Sequence, residues 1–165
     1  MTKRAQSEHR QVASFDLGRT QQKRVHICGK HGETFLASVY TSVNIQESPE
    51  LREPLFEGSL NSVVAPGDDG RTYHLAVPLV YHDPERKIFG LIIPDGLRHQ
   101  EFACRQELLA ELARSEQVLP AYMRRFEVFF ELDELLELEK EKEKDGGEEA
   151  TLITEVTADF QERDQ

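Results

Sequence analysis

With 165 residues, 38% of them hydrophobic, the chain has room for one folded core diluted by polar segments, and its two cysteines imply no disulfide framework. Residues 1–31 carry seven bases and two acids, while residues 131–149 carry ten acids and three bases. The formal net charge of the whole chain is −11, which argues against a broad nucleic-acid-binding surface. No apolar run approaches the ~20 residues of a membrane span, and the first residues lack an apolar h-region, so we expect a cytoplasmic protein with no membrane partner.

The first elements predicted along the chain are an arm and a β-hairpin. Residues 1–20 are polar and predict a flexible basic arm. Polar and apolar residues alternate over 23–28 and again over 33–45, which predicts two half-buried strands. Gly29 and Gly32 lie between these strands and permit the positive φ angles of a tight turn.

A short helix and a run of strands follow the hairpin. Residues 48–58 predict a helix, because Pro49 fits its first position and Gly58 fits a left-handed residue after its end. The next apolar and β-branched runs predict three strands joined by short turns, a meander. These strands are predicted over 60–64, 71–82 and 87–96.

The second half of the chain predicts two helices with a strand between them. Residues 99–117 give an amphipathic helix, and 122–130 a strand. The apolar face of the first helix is predicted to contain Phe102, Leu108, Leu109 and Leu112. Residues 131–144 predict a charged helix, and an acidic flexible tail or docking segment is expected over 145–165. The folded domain is accordingly assigned to 21–144, with an α+β fold built on a small antiparallel sheet.

Three stretches of the sequence resemble the CpXC domain family of bacteria and archaea, and the resemblance covers roughly residues 23–140. They are SPELREPLFEGSLNSVVAP (48–66), DGRTYHLAVPLVYHDPERKIFGLIIP (69–94) and RRFEVFFELDELLELEKEKEK (124–144). The family is named for two Cys-Pro-x-Cys knuckles, each at a β-turn, and its function is uncharacterised. The resemblance therefore implies zinc-ribbon-like hairpins in this chain and supplies no activity.

Both knuckles depart from the family pattern. In the first, Cys28 matches the first cysteine and His31 stands at the second; in the second, Ala65 replaces the first cysteine and Asp68 stands at the other. A structural zinc site needs four ligands, and alanine cannot be one of them. Cys28, His31 and Asp68 could supply three donors, but that mixed set is unattractive for structural zinc. We expect no cofactor, with zinc binding as the alternative.

An adjacent histidine and aspartate, His82 and Asp83, invite a catalytic interpretation of the hydrolase type. No second histidine cluster or group of carboxylates accompanies them in the sequence. The structural interpretation is that His82 ends a strand and Asp83 begins a turn by accepting a bond from the backbone ahead of it.

The function that this pattern favours is a non-enzymatic protein-interaction or adaptor module, with a protein partner or self-association. Five residues are predicted as partner contacts: Tyr81, His82, Leu152, Ile153 and Val156. The last three follow a Gly-Gly linker, and such a segment can add as a strand to an exposed sheet edge. The alternatives are a zinc-binding regulatory module and an enzyme that acts through His82 and Asp83.

Overall fold

The structure, a computed structural model, describes residues 17–66 and 70–146. Its strands are β1 (Gln21–Cys28), β2 (Thr34–Asn44), β3 (Ser62–Val64), β4 (Thr72–His74), β5 (Leu79–Asp83), β6 (Ile88–Ile92) and β7 (Glu127–Phe129). Its α-helices are α1 (Arg52–Glu57), α2 (Glu101–Arg114), α3 (Ala121–Arg124) and α4 (132–146). Short 3-10 helices at Pro49–Leu51 and Asp95–Gln100 precede α1 and α2. The predicted α+β class is confirmed, and none of the described helices is both long and apolar enough to cross a membrane.

The main sheet has five strands in the order β1-β2-β5-β6-β7, and its pairing is mixed. The β1–β2 and β5–β6 pairs are antiparallel, as predicted. The β2–β5 and β6–β7 pairs are parallel, so the expectation of an antiparallel sheet is wrong. Parallel neighbours require a crossover connection, which α1 with the β3–β4 segment supplies in the first case and α2 with α3 in the second.

The predicted three-stranded meander over 60–93 is also wrong, because the stretch predicted as one strand, 71–82, is broken. Its first part is β4, which pairs with β3 in a separate two-stranded sheet, and its second part is β5 of the main sheet. Pro78 lies in the break immediately before β5 and has no N–H to give to a ladder. The two hairpins that the sequence predicts therefore belong to different sheets.

One part of the core lies on β6 and is completed by residues of α2 and α3. A buried cluster contains Phe89, Leu91, Ile93, Leu108 and Met123. Gly90 faces Phe129 so closely that an added Cβ would stand 2.5 Å from its ring. This close approach explains why a glycine interrupts an otherwise apolar strand.

Helix α2 buries a different face from the one predicted. Phe102 is 74% exposed and Leu109 45% exposed, whereas Leu108 is 4% exposed. Phe102 and Leu109 are seven residues apart, about two turns, and so share one side of the helix. Leu108 and Leu112 are one turn apart on another side and join the core or its edge. The predicted single apolar face is therefore divided between core and solvent.

The last described elements follow the sequence more closely. The strand predicted over 122–130 is reduced to β7, because α3 occupies its first residues. The charged helix predicted over 131–144 is present as 132–146. The chain divides into two units after Leu132, and of the second unit the structure describes only the helix. The predicted arm over 1–20 is described only from Leu17 onward, and most of the predicted tail lies outside the described residues.

Candidate functional site

The first knuckle position is a hairpin turn closed by its own backbone. Cys28, the last residue of β1, is exposed, and its Sγ lies 3.7 Å from the carbonyl oxygen of Gly29. The N–H of Gly29 donates to the Glu33 carbonyl at 2.6 Å, and the N–H of Gly32 donates to the Gly29 carbonyl. Gly32 has a φ of +82°, so the predicted positive φ is confirmed at Gly32, whereas Gly29 does not adopt one.

The second knuckle position is described only in part. Ala65 follows β3 and is 2% exposed, and its N–H donates to the Arg71 carbonyl at 3.4 Å. Asp68, the predicted third metal donor, lies outside the described residues. Within 17–66 and 70–146, no group of three or more His, Cys, Asp or Glu side chains could hold a metal ion.

Asn61 connects the small hairpin to the main sheet. The Tyr40 N–H donates to Asn61 Oδ1 at 2.8 Å, and Asn61 Nδ2 donates to the Tyr40 carbonyl at 3.1 Å. Tyr40 lies just before the part of β2 that pairs with β5, which begins at Ser42. The side-chain amide thus bonds both backbone groups of Tyr40, as a neighbouring strand would. The N–H of Leu75 then donates to the Asn61 carbonyl at 2.8 Å and ends the small hairpin.

His82 lies in a buried network that uses both of its ring nitrogens. Nδ1 is 2.7 Å from the carbonyl oxygen of Gly18, and Nε2 is 2.8 Å from the hydroxyl of Tyr122. A carbonyl oxygen can only accept, so Nδ1–H donates to Gly18 and Nε2 of the neutral ring accepts from Tyr122. Asn44 Nδ2 donates to the same Gly18 carbonyl at 2.8 Å, and the Phe89 ring meets the imidazole edge-on at 5.3 Å.

The surroundings of this network favour a neutral imidazole. Burial lowers the pKa of His82, and the bond to Gly18 and the charge of Asp83 oppose that effect only partly. Burial and Asp83 both raise the pKa of Tyr122, so its hydroxyl remains a donor at neutral pH.

Asp83 belongs to a turn, as the structural interpretation of the pair expects. It is 2% exposed, and its carboxylate accepts from the Arg86 guanidinium at 2.8 Å and from the Arg86 N–H at 3.2 Å. Tyr81 is completely buried and His82 is 7% exposed, so neither offers surface to a partner in this conformation. The other predicted partner contacts, Leu152, Ile153 and Val156, lie outside the described residues.

A cavity of about 420 Å³ is lined by α2 and by residues of β1, β2, β5 and β6. We call it the α2 cleft. Its apolar lining residues include Val25, Val39, Val77, Val80, Leu91 and Leu108. Neither His82 nor Asp83 is part of its lining.

Both acidic groups of the α2 cleft come from one side of α2. Cys104, Glu107 and Glu111 line it together with Lys23 of β1. Burial raises the pKa of Glu111, with Arg114 opposing and Glu107 adding to the effect. Burial and Glu107 also raise the pKa of the Cys104 thiol. The Glu111 carboxylate therefore lies where ionisation is less favourable than in water.

Ser42 is the most buried polar residue of the lining. It is 6% exposed, and its Oγ has no hydrogen-bond partner among the described residues. A buried hydroxyl without a partner costs about 1–3 kcal/mol, so such a group in a cavity lining is a candidate contact for a bound molecule.

The sequence offered no motif for this cleft. Its residues come from positions as far apart as Leu17 and Glu111 and meet only through the sheet order. One local signal exists: Ala103, Cys104, Glu107 and Glu111 follow helical spacing and so share a side of α2. That side mixes small, polar and acidic residues and does not stand out as an apolar stripe.

Comparison with known protein families gave a match. A family model described as CpXC protein matches residues 27–145, from the end of β1 into α4. No curated protein and no solved structure matches the chain. The matched range includes both knuckle positions and the whole of α2.

Proposed function

The chain belongs to the CpXC protein family, and from that premise we propose that it is a non-enzymatic protein-interaction module that receives an extended segment of a partner protein in the α2 cleft. The observation that carries the proposal is the cleft itself, with apolar walls and polar residues along α2. Its volume of about 420 Å³ falls within the range typical of binding sites.

The length of the cleft favours a peptide segment as the occupant. Its helical side runs from Gln100, the residue before α2, to Glu111, which corresponds to about 16 Å at the helical rise of 1.5 Å per residue. An extended chain covers that distance in about five residues. A lining that combines apolar and polar residues is also typical of protein interfaces.

The experiment that tests this proposal fills the cleft. Ala103 and Ala110 are both exposed on α2, but only Ala103 lines the cleft, so A103F and A110F form a matched pair. A photoreactive residue at position 103 should form a cross-link to the partner, and mass spectrometry then identifies that partner. Purified, it should bind the wild-type chain and A110F alike and bind A103F at least about ten-fold more weakly.

Circular dichroism and urea unfolding must show that both variants keep the wild-type fold. A partner that binds A103F as tightly as A110F would place the interface outside the cleft and refute the proposal. The same holds if the cross-link forms from a photoreactive residue at position 110 and not at 103.

A further inference from the structure

The α2 cleft carries unbalanced negative charge. Glu107 and Glu111 lie one turn apart on α2, and neither makes an ion pair with a residue that the structure describes. Lys23 is the one base among the cleft-lining residues, so the lining has one excess negative charge. Arg105, the base nearest Glu107 along the helix, pairs with Glu101. Arg114 acts on Glu111 through its charge, while its Nε donates to the Ala110 carbonyl at 3.1 Å. Like charges one turn apart destabilise each other until a cation lies between or beside them.

The apolar walls restrict which cation suits this place. Val25, Val39 and Leu91 form part of the same lining as the two carboxylates. A small hydrated ion gains nothing from such walls, whereas a lysine or arginine side chain covers them with its aliphatic stem and carries its charge at the tip. Such a side chain therefore matches both the walls and the charge.

Ser42 gives a second and independent indication of a ligand. Its Oγ is unpartnered and buried while the residue lines the cleft. An extended segment presents backbone N–H and C=O groups along its length, and a serine hydroxyl can pair with either. The Ser42 hydroxyl can thus bond the backbone of an occupant, and the two carboxylates can bind a cationic side chain of the same occupant.

On the basis of the proposed function, we propose that the partner segment presents a basic side chain, whose aliphatic stem lies along the apolar walls and whose cationic tip is bound by Glu107 and Glu111, while its backbone bonds Ser42 Oγ. A lysine and an arginine satisfy the same description. Peptides that differ only in this residue distinguish lysine from arginine.

The test uses five-residue peptides of the form Ac-Ala-Leu-X-Leu-Ala-amide with X as Lys, Arg, norleucine or Glu. Binding to the full chain is followed by NMR shifts of the cleft methyl groups. We expect the better of the two basic peptides to bind about five-fold or more tightly than the norleucine peptide, and the Glu peptide most weakly. E107Q and E111Q should each remove most of that preference, while E116Q, which lies outside the cleft lining, should preserve it.

Ser42→Ala separates ligand contact from a structural role. Because the hydroxyl has no partner in the free protein, its removal should leave the midpoint of urea unfolding unchanged or raised. The same change should weaken the basic peptide about three-fold or more. Unchanged binding with S42A would refute the role given to Ser42.

Two results would overturn the preference for a basic side chain. One is norleucine binding as tightly as lysine and arginine, which leaves the cleft as an apolar site and the proposed function intact. The other is the absence of shifts in the cleft with every peptide. The proposed function fails separately, through the A103F and A110F pair, so the two failures are distinguishable.

Discussion

Both the backbone geometry and the packing of neighbouring side chains require a glycine at position 18. Its φ is +82°, a region that glycine adopts easily and other residues adopt only with strain. A Cβ added there would stand 3.0 Å from His82 Nδ1 and 3.2 Å from Met123 Cε. Its carbonyl also accepts from both His82 and Asn44. A residue that the composition of 1–20 assigns to a flexible arm thus supports the core.

Gly18→Ala should therefore be clearly destabilising, and Gly32 provides the matched control. Gly32 has the same φ of +82°, but a Cβ there would meet nothing within 4 Å. We expect G32A to cost about 1 kcal/mol in free energy of unfolding from backbone strain alone. We expect G18A to cost about 2–4 kcal/mol, because the clash with His82 is added. Urea unfolding measures both, and equal costs would show that the contact with His82 contributes nothing.

His82 should make folding sensitive to mild acid. Its pKa is lowered in the folded chain by burial, so as pH falls the unfolded chain takes up the proton first. Stability should therefore fall as pH decreases from about 6.5 toward the lower pKa of the folded state, with a slope of at most about 1.4 kcal/mol per pH unit. Below both pKa values this contribution becomes constant.

The measurement is the free energy of unfolding in urea between pH 7.5 and 5 for the wild type and for His82→Asn, whose amide keeps a donor near the Gly18 carbonyl and does not titrate. The variant will be less stable throughout, but its slope over this range should be smaller. Glu47 loses its contribution only in more acidic solution, because its pKa is lowered by Arg19, with desolvation opposing. A slope that is the same in both proteins would contradict the role of His82.

Secondary-structure elements are predicted correctly where a local sequence pattern determines them. They are predicted wrongly where contacts between residues far apart in sequence determine them. The β1–β2 hairpin follows from alternation with glycines between the strands. The break between β4 and β5 does not, because residues on either side of it are equally β-forming. The two strands are separated because the Leu75 N–H bonds the Asn61 carbonyl, and because Val80 pairs with Ser42 of β2. Such pairings depend on residues far apart in sequence.

Asn61 can be tested as the connection between the two sheets. N61A leaves the N–H and carbonyl of Tyr40 without their partners, which should cost about 1–3 kcal/mol in free energy of unfolding. Amide hydrogen exchange should show faster exchange in β3 and β4 while β5 and β6 keep their protection.

The control for N61A is Ser62→Ala, which removes only the exposed contact of Ser62 with His74, 2.7 Å long. That change should cost less than about 0.5 kcal/mol. Equal exchange in β3 and β4 for N61A and the wild type would show that the amide does not hold the hairpin.

For the whole molecule, the class of fold was predictable and the candidate site was not. Strand and helix periods give α+β, and the family resemblance supplies the order of elements. The α2 cleft arises from the crossover that brings β5 beside β2 and from the position of α2 over these strands. Neither the crossover nor the position of α2 is visible in a local sequence pattern. The buried, unpartnered state of Ser42 is likewise visible only once all its neighbours are in place.

The contacts around the knuckle positions bear on the expectation that the chain holds no metal. In the part of the chain that the structure describes, the first knuckle turn is closed by backbone bonds, Ala65 is buried, and Asn61 connects the second hairpin to β2. These contacts stabilise the fold through packing and hydrogen bonds. Structural zinc, by contrast, contributes about 10–16 kcal/mol of folding free energy where it is required.

We therefore expect the thermal unfolding temperature to shift by less than about 2 °C when a strong chelator is added to protein purified from zinc-supplemented cells, because a loss of even 1 kcal/mol would shift it by about 2–8 °C. Cys28→Ser should leave it equally unchanged, since that thiol is exposed and its hydrogen bond within the described residues is to the adjacent Gly29 carbonyl. A drop of ten degrees or more on chelation, reproduced by C28S and His31→Ala, would instead establish a zinc-dependent fold. Because the measurement is made on the full chain, it also covers Asp68, which lies outside the described residues.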